Sequence, residues 1–435
     1  MSLTVLADDA LAALRSIGDP QMEGVLRTPK RTPVAIKAVL AEIRGQGGLL
    51  AFARSEKNSA LLLRAATGQP EISLDPAKLQ EAQRLFAVFG TEISGALLLA
   101  ALPQSYATEF GAGVLGANAE LERDLARRIL GTAQFLLVVM QRAKDEADEH
   151  RLWAPDAGSK PPALAPWKLC SALRIYHHAI RMQLEEKRTS DDAVDQLLGK
   201  HNEPPLNQED LLGMLLSFSV TVFEVLERYG ICWTADEQEA YLHAWDVVGS
   251  YLGIGSPGVV VQLEQRVGRE VAGESWHGLR PPTIADTRAL LDQIRARQWL
   301  DPAPTSVLDT TDWSSVRSGR VMTKALLDEL AAAMPPSLKL LPIAVMRALA
   351  PDVVRRRLSL GANGLFLRAL DHLPKRRHVI DRFTSVHTPN PLTGRVLRMM
   401  ANDVTARASM RFLRDGDFVF PGLEDWSGSE GVGHR

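Results

Sequence analysis

The stretch Arg174-Ile-Tyr-His177-His178-Ala-Ile-Arg181 places two imidazoles and two guanidinium groups within eight residues. A helix turns about 100° per residue. On such a wheel Arg174 and Arg181 point nearly the same way, and His177 and His178 flank that direction. Neutral imidazole is a common ligand for iron, and arginine pairs well with carboxylates. The chemistry this suggests is a cofactor helix, with one imidazole on a haem iron and arginines near the haem carboxylates. The same pattern also reads as the edge of a surface helix. The wheel does not choose between His177 and His178.

A second candidate is Arg127-Arg128-Ile-Leu-Gly131-Thr132-Ala-Gln-Phe135. Arg128 and Thr132 are i and i+4 and share one face. They lie where a helical segment passes from charged to apolar. Such a pair could line the polar end of a buried cavity, or the arginine could simply reach back to solvent. Other patterns lead away from chemistry. Asp191-Asp192-Ala-Val-Asp195 matches a Mg²⁺-diphosphate motif, but it sits in a polar stretch that ends at Pro204-Pro205, and no second metal motif accompanies it. Glu239 and His243 do not form the Glu-x-x-His pairs of a di-iron bundle. The sequence has no Cys-x-x-Cys-His, so a haem would not be attached in the c-type manner. It also lacks a Walker A loop, a Gly-x-Gly-x-x-Gly and a Gly-x-Ser-x-Gly.

The elements that must position these groups read as helices almost throughout. Residues 5–16 and 34–44 are amphipathic, as is Leu79 to Phe89. Glu92 to Leu102 is apolar nearly all round and predicts a central helix. Leu121 to Ala147 predicts one helix that enters the core and emerges charged. A Pro/Ala/Gly loop from Ala154 to Pro166 precedes a helix from Trp167 to Lys187. Thr189 to Pro205 is a polar break. Asn207 then caps a second strongly apolar helix with Glu209 and Asp210 in its first turn, ending at Gly230. Thr234 and Glu237 have capping-box spacing and open the next helix, which ends before Gly255-Ser-Pro-Gly258. Two amphipathic helices surround a loop at 301–316. Further segments follow at 338–358, 364–371 and 392–412, and a Gly/Ser-rich tail from Gly422 is expected to be disordered. No strand series and no repeat is visible.

Composition agrees with a folded helical protein. The 435 residues are 46% hydrophobic and 23% charged, and only 6% are aromatic. Lys+Arg (50) nearly balance Asp+Glu (52), so nothing argues for nucleic acid or for an acidic solvating tail. Cys170 and Cys232 are too few for a disulfide scaffold. The longest apolar runs, 93–102 and 213–223, fall short of the ~20 residues that span a bilayer. Residues 1–20 show neither a basic n-region nor an uninterrupted apolar stretch, so the expectation is a cytoplasmic protein.

Four blocks in order resemble the latex-clearing-protein (rubber oxygenase) and MpaB-type oxygenase family. They are Arg128-x-x-x-Thr132-x-x-Phe135, Arg174-x-x-His177-x-x-x-Arg181, Asn207-Gln-Glu-Asp-Leu-Leu-Gly-x-Leu-x-x-Phe-Ser219, and Tyr241-Leu-His-Ala-Trp245-x-Val-Val-Gly249-x-x-Leu-Gly253. The resemblance spans roughly 80–265, with an echo at 347–360. It implies an all-α fold with a globin-like helical core and additional N- and C-terminal helices. It also implies a non-covalent haem b. His177 matches the haem-ligand histidine, Arg174 and Arg181 match arginines on the ligand helix, and Arg128 and Thr132 match distal polar residues. Glu109 lies in the region where the family carries its distal glutamate base. The expected organisation is an N-terminal helical extension (1–79), a haem-binding core (80–265), a C-terminal helical region packed on the core (266–421) and the tail (422–435).

Two features set this sequence apart from rubber-cleaving members. Gly131 stands where they have a lysine, and they are exported. The function implied is a haem-dependent oxygenase that takes O2 and a small apolar, isoprenoid-like substrate. The alternatives are a non-catalytic haem carrier or sensor, and a helical scaffold without a cofactor.

Overall fold

The computed structural model describes residues 6–360, apart from 7, 27–32, 46–47, 67–71, 109–111, 115–116, 118–124, 144–145, 156–163, 199–202, 229, 272–279, 300–314, 333–335 and 337–338. The chain opens with five short helices: α1 (Asp8–Leu14), α2 (Pro20–Leu26), α3 (Pro33–Arg44), α4 (Gly48–Arg54) and α5 (Ser59–Ala66). The middle of the chain holds α6 (Pro76–Ala96), α7 (Leu102–Tyr106), α8 (Leu125–Val139), α9 (Glu146–Trp153), α10 (Pro166–Arg188), α11 (Asp192–Leu198), α12 (Gln208–Arg228) and α13 (Ala235–Tyr251). After these come α14 (Pro257–Val267), α15 (Ile284–Gln298), α16 (Ser315–Ala332), α17 (Leu341–Leu349) and α18 (Asp352–Arg357). The described residues contain no strand, in line with a sequence that shows no strand series.

Helix starts follow local chemistry. The Asp75 carboxylate accepts from the N–H groups of Ala77 and Lys78, and Pro76 takes the first position of α6. Asn207 Oδ1 accepts from the Asp210 N–H at 3.0 Å and caps α12. Thr234 and Glu237 form the expected capping box on α13. α6 packs along α13, and α12 lies between α13 and α15. α10 is enclosed by α3, α4 and α5 on one side and by α8, α9 and α13 on others. The N-terminal helices therefore cover the central helix instead of trailing from it.

The two helices expected at 79–89 and 92–102 are found as the two arms of α6, which meet at a kink at Phe89 (φ −113°, ψ 16°); the second arm continues through a π turn at Leu97–Ala101 into α7. Two expectations are corrected. The single helix expected over 121–147 ends at Val139, and α9 begins at Glu146. Buried Gln83 explains the break. Its Oε1 accepts from the Ala143 N–H at 3.1 Å, and its Nε2 donates to both carboxylate oxygens of Glu149. The turn brings Trp153, 1% exposed, back into the core. The polar break at 189–205 contains α11, where Asp191 accepts from the Val194 N–H and Asp195 pairs with Arg188. Those carboxylates serve local structure, and no cluster of three or more metal-binding side chains occurs among the described residues. The segments 364–371 and 392–412 and the tail from Gly422 lie outside the described residues.

Candidate haem-ligand helix and its supports

α10 is 23 residues long and buries most of its circumference. Arg174 is 1% exposed. Its Nε and Nη2 donate to the two carboxylate oxygens of Asp19 at 2.7 and 2.8 Å. Its Nη1 donates to the Ala65 carbonyl at 2.9 Å, and Nη2 also donates to Gln21 Oε1 at 3.0 Å. Burial raises the Asp19 pKa, but the charge and hydrogen bonds of Arg174, with Arg181 behind them, outweigh it and hold the carboxyl below its ordinary range. Arg181 is equally committed. It donates to the Pro205 carbonyl at 2.9 Å, to the Leu206 carbonyl, and to His178 Nδ1 at 3.2 Å. Leu206 holds a left-handed φ of 54° there, a conformation that costs ~1–3 kcal/mol in a non-glycine residue and persists where neighbours impose it.

These contacts of Arg174 and Arg181 are all within the protein. Every guanidinium nitrogen of both residues is engaged by the protein. Their work is to fix α10 against α2, α5 and the turn before α12.

His177 stands three residues after Arg174 and four before Arg181. It is half-buried. Its Nδ1 is buried without a hydrogen-bond partner. Burial, and after it the charge of Arg181, lowers its pKa to about 4. The ring is thus neutral at pH 7, the form that ligates a metal. His178 is 2% exposed and is held by Arg181. The neighbouring imidazoles differ at Nδ1: that of His178 is held by Arg181, and that of His177 is buried without a hydrogen-bond partner, while His178 Nε2 is buried without one too. Leaving such a group unsatisfied costs ~1–3 kcal/mol. The neutral ring fits a single-imidazole ligand. Cys170, on the same helix, is fully buried, and burial pushes its thiol pKa upward, so a thiolate is disfavoured.

α8 carries Arg128 and Thr132 and packs against α10. Thr132 is half-buried. Glu109 lies outside the described residues. Sequence reasoning missed the supports around α10. Asp19 precedes Pro20, accepts from the Met22 N–H at 3.1 Å and starts α2. The Asp-Pro pair signals a helix start, but nothing local reveals Arg174 as its partner 155 positions away. Gly253 has φ +79°, and any side chain there would meet the Arg174 guanidinium. Arg15 joins Glu203, Glu209 and Asp210, and Arg297 pairs with Glu209 at 2.8 Å, so the acidic first turn of α12 also anchors α1 and α15.

Helices packed around α10 define the class: an all-α protein whose central helix carries two adjacent imidazoles. Residues 86–379 match the family described as ER-bound oxygenase mpaB/B'/rubber oxygenase, catalytic domain. That match covers more than half of the chain, which belongs to this oxygenase family. The fold is similar to a solved structure described as latex clearing protein in the closed state, with a TM-score of 0.56, 18% identity, and 91% of each chain covered. No curated protein matches the chain. Among the described residues no single helix is long and apolar enough to cross a membrane.

Proposed function

We propose that the chain is a haem b-dependent oxygenase of the cytoplasm that acts on a small apolar, isoprenoid-like substrate with O2. The observation that carries this reading is His177: a neutral imidazole with a buried, unpartnered Nδ1, in the block that resembles the family's ligand helix. Haem, when bound, supplies the iron chemistry that engages O2. His177 would hold it. Arg128 and Thr132 would donate hydrogen bonds to charge that develops on oxygen. Glu109 would serve as the base that takes a proton from the substrate. Gly131 removes the lysine of rubber-cleaving relatives and suits a substrate smaller than polymer.

The test is spectroscopic first. Protein expressed with ample haem should show a Soret band and about one iron per chain, and the haem should leave into acidified organic solvent because no thioether holds it. A colourless, iron-free product overturns the reading. Loaded protein is then given latex or short isoprenoids while O2 uptake and carbonyl products are followed. Oxidation of the short molecules alone is expected. Efficient release of carbonyl-ended oligomers from latex would refute the substrate assignment, and silence with both would favour a haem carrier.

A further inference from the structure

We infer that Asp19, in the N-terminal segment outside the matched catalytic domain, is a positioning residue for His177, acting through Arg174. The inference rests on the haem-ligand reading of His177. Its geometry, however, is independent of any cofactor. Asp19 meets Arg174 through both carboxylate oxygens, and both residues are almost fully buried. Arg174 is one helical turn before His177, and Arg181 is one turn after it, so whatever fixes the two arginines fixes the turn that carries the imidazole.

The same short segment reaches both arginines. Gly18, beside Asp19, lies so close to Arg181 that a side chain there would press on its Nε at 3.3 Å. The segment is itself tied down at a third place. The Ile17 carbonyl accepts from the Gln208 N–H at 2.9 Å, and the Gly18 carbonyl accepts from Gln208 Nε2 at 2.8 Å. Gln208 Oε1 in turn accepts from the Gly255 N–H at 3.1 Å. Ile17–Met22 is therefore a strap across α10, fastened to α12 and to the loop after α13. Asp19 is the buried anion in that strap, and its charge acts on His177 as well as on Arg174. Replacing it by a neutral group leaves Arg174 uncompensated next to the ligand turn. The arginine must then shift or draw in water, and the turn loosens. The loss of negative charge also favours the reduced state of any iron held there.

The experiment uses the full chain with Asp19→Asn, which keeps the shape and the cap on Met22, and Asp19→Glu as a milder change in case the first folds poorly. Asp75→Asn is the control, because it removes a comparable N-cap carboxylate on α6, away from α10. Amide hydrogen exchange of residues 174–181 is measured on the haem-free protein. Haem affinity and iron midpoint potential are measured after loading. Asp19→Asn should speed exchange selectively in 174–181, weaken haem binding by ~10-fold, the low end for loss of a direct outer partner because Asp19 acts through Arg174, and move the potential positive. Asp19→Glu should do the same more weakly. Asp75→Asn should do none of these. Unchanged exchange at 174–181 together with unchanged haem affinity in the Asp19 variants would overturn the inference. If the unsubstituted protein takes up no haem, the haem reading of His177 fails, and the exchange measurement still decides whether Asp19 positions the turn.

Discussion

Two adjacent imidazoles on α10 differ at Nδ1. His178 Nδ1 accepts from Arg181, whereas His177 Nδ1 is buried and unpaired. His177→Ala should therefore lose most bound haem. His178→Ala should keep it but destabilise the fold by ~1–3 kcal/mol, because Arg181 loses an acceptor in the interior. Soret absorbance after gel filtration and the urea midpoint separate the two effects, and loss of haem only from His178→Ala would put the register wrong by one. The residue types here were legible in the sequence. The helical wheel did not choose between them and the resemblance pointed to His177; that Arg181, fixed by carbonyls of residues 205 and 206, reaches His178 was not legible, because those partners lie beyond the helix. A third imidazole yields a pH prediction. His243 Nε2 accepts from the Asp75 N–H at 3.1 Å, and burial, followed by the Lys78 charge, lowers its pKa to about 4. The unfolded value is ~6.5. Between those values the unfolded chain takes a proton that the folded one refuses, so stability falls as pH drops below ~6.5 toward 4. His243→Gln keeps an acceptor and does not titrate, so its loss of stability from about pH 7 to 5 should be ~2 kcal/mol smaller than that of the parent. Asp246, raised to about 7 by burial that outweighs the lowering effect of Arg280, acts in the opposite sense, which is why the comparison is made between variants. Equal losses in the two urea titrations would remove His243 from this account.

At the scale of elements, ends were easier to read than breaks. The caps at Asn207 and Thr234 are local, built from side chains three residues from their targets, so sequence spacing reveals them. The turn between α8 and α9 is held by Gln83, 60 positions from Ala143, and no local pattern announces it. Gly253 shows the same division. Its place at the end of the fourth family block was legible, but the reason for glycine was not. Its φ of +79° is one that only glycine adopts at little cost, and Arg174 occupies the space a side chain would take. Gly253→Ala should therefore destabilise the protein by at least ~1–3 kcal/mol from backbone strain alone, with more from displacement of Arg174. Gly268, which also has positive φ but has open space around it, is the comparison. Gly268→Ala should cost only the backbone contribution. Thermal unfolding of both variants checks the difference, and equal costs would mean that the Arg174 contact carries no weight.

The whole molecule is less modular than its sequence suggests. The four family blocks fall within 80–265, and the segment before them looks like an appendage. In the structure α3, α4 and α5 cover α10, and α2 begins with the carboxylate that neutralises Arg174. α15 seals the other side of α12, where buried Arg295 bonds Glu224, Thr221 and Gln104. A chain cut to 80–265 would keep the Pro205 and Leu206 carbonyls for Arg181 but would lose Asp19, Gln21 and the Ala65 carbonyl, every partner that Arg174 has. Removing the partner of a buried charge costs ~3–5 kcal/mol, and a domain of this kind holds only ~5–15 kcal/mol in total. The apolar face of α10 turned toward α3–α5 would be exposed as well. The expected outcome is that the 80–265 fragment either aggregates or keeps far-UV helicity while losing near-UV circular dichroism and cooperative unfolding. Adding back residues 1–79 without the C-terminal helices should restore order around α10 but leave α12 exposed on its α15 side, so the near-UV signal returns only in part. Near-UV spectra and urea titrations of the three chains test this. A fragment of 80–265 that unfolds cooperatively and binds haem as tightly as the full chain would show that the family core folds alone and that the N-terminal strap is dispensable.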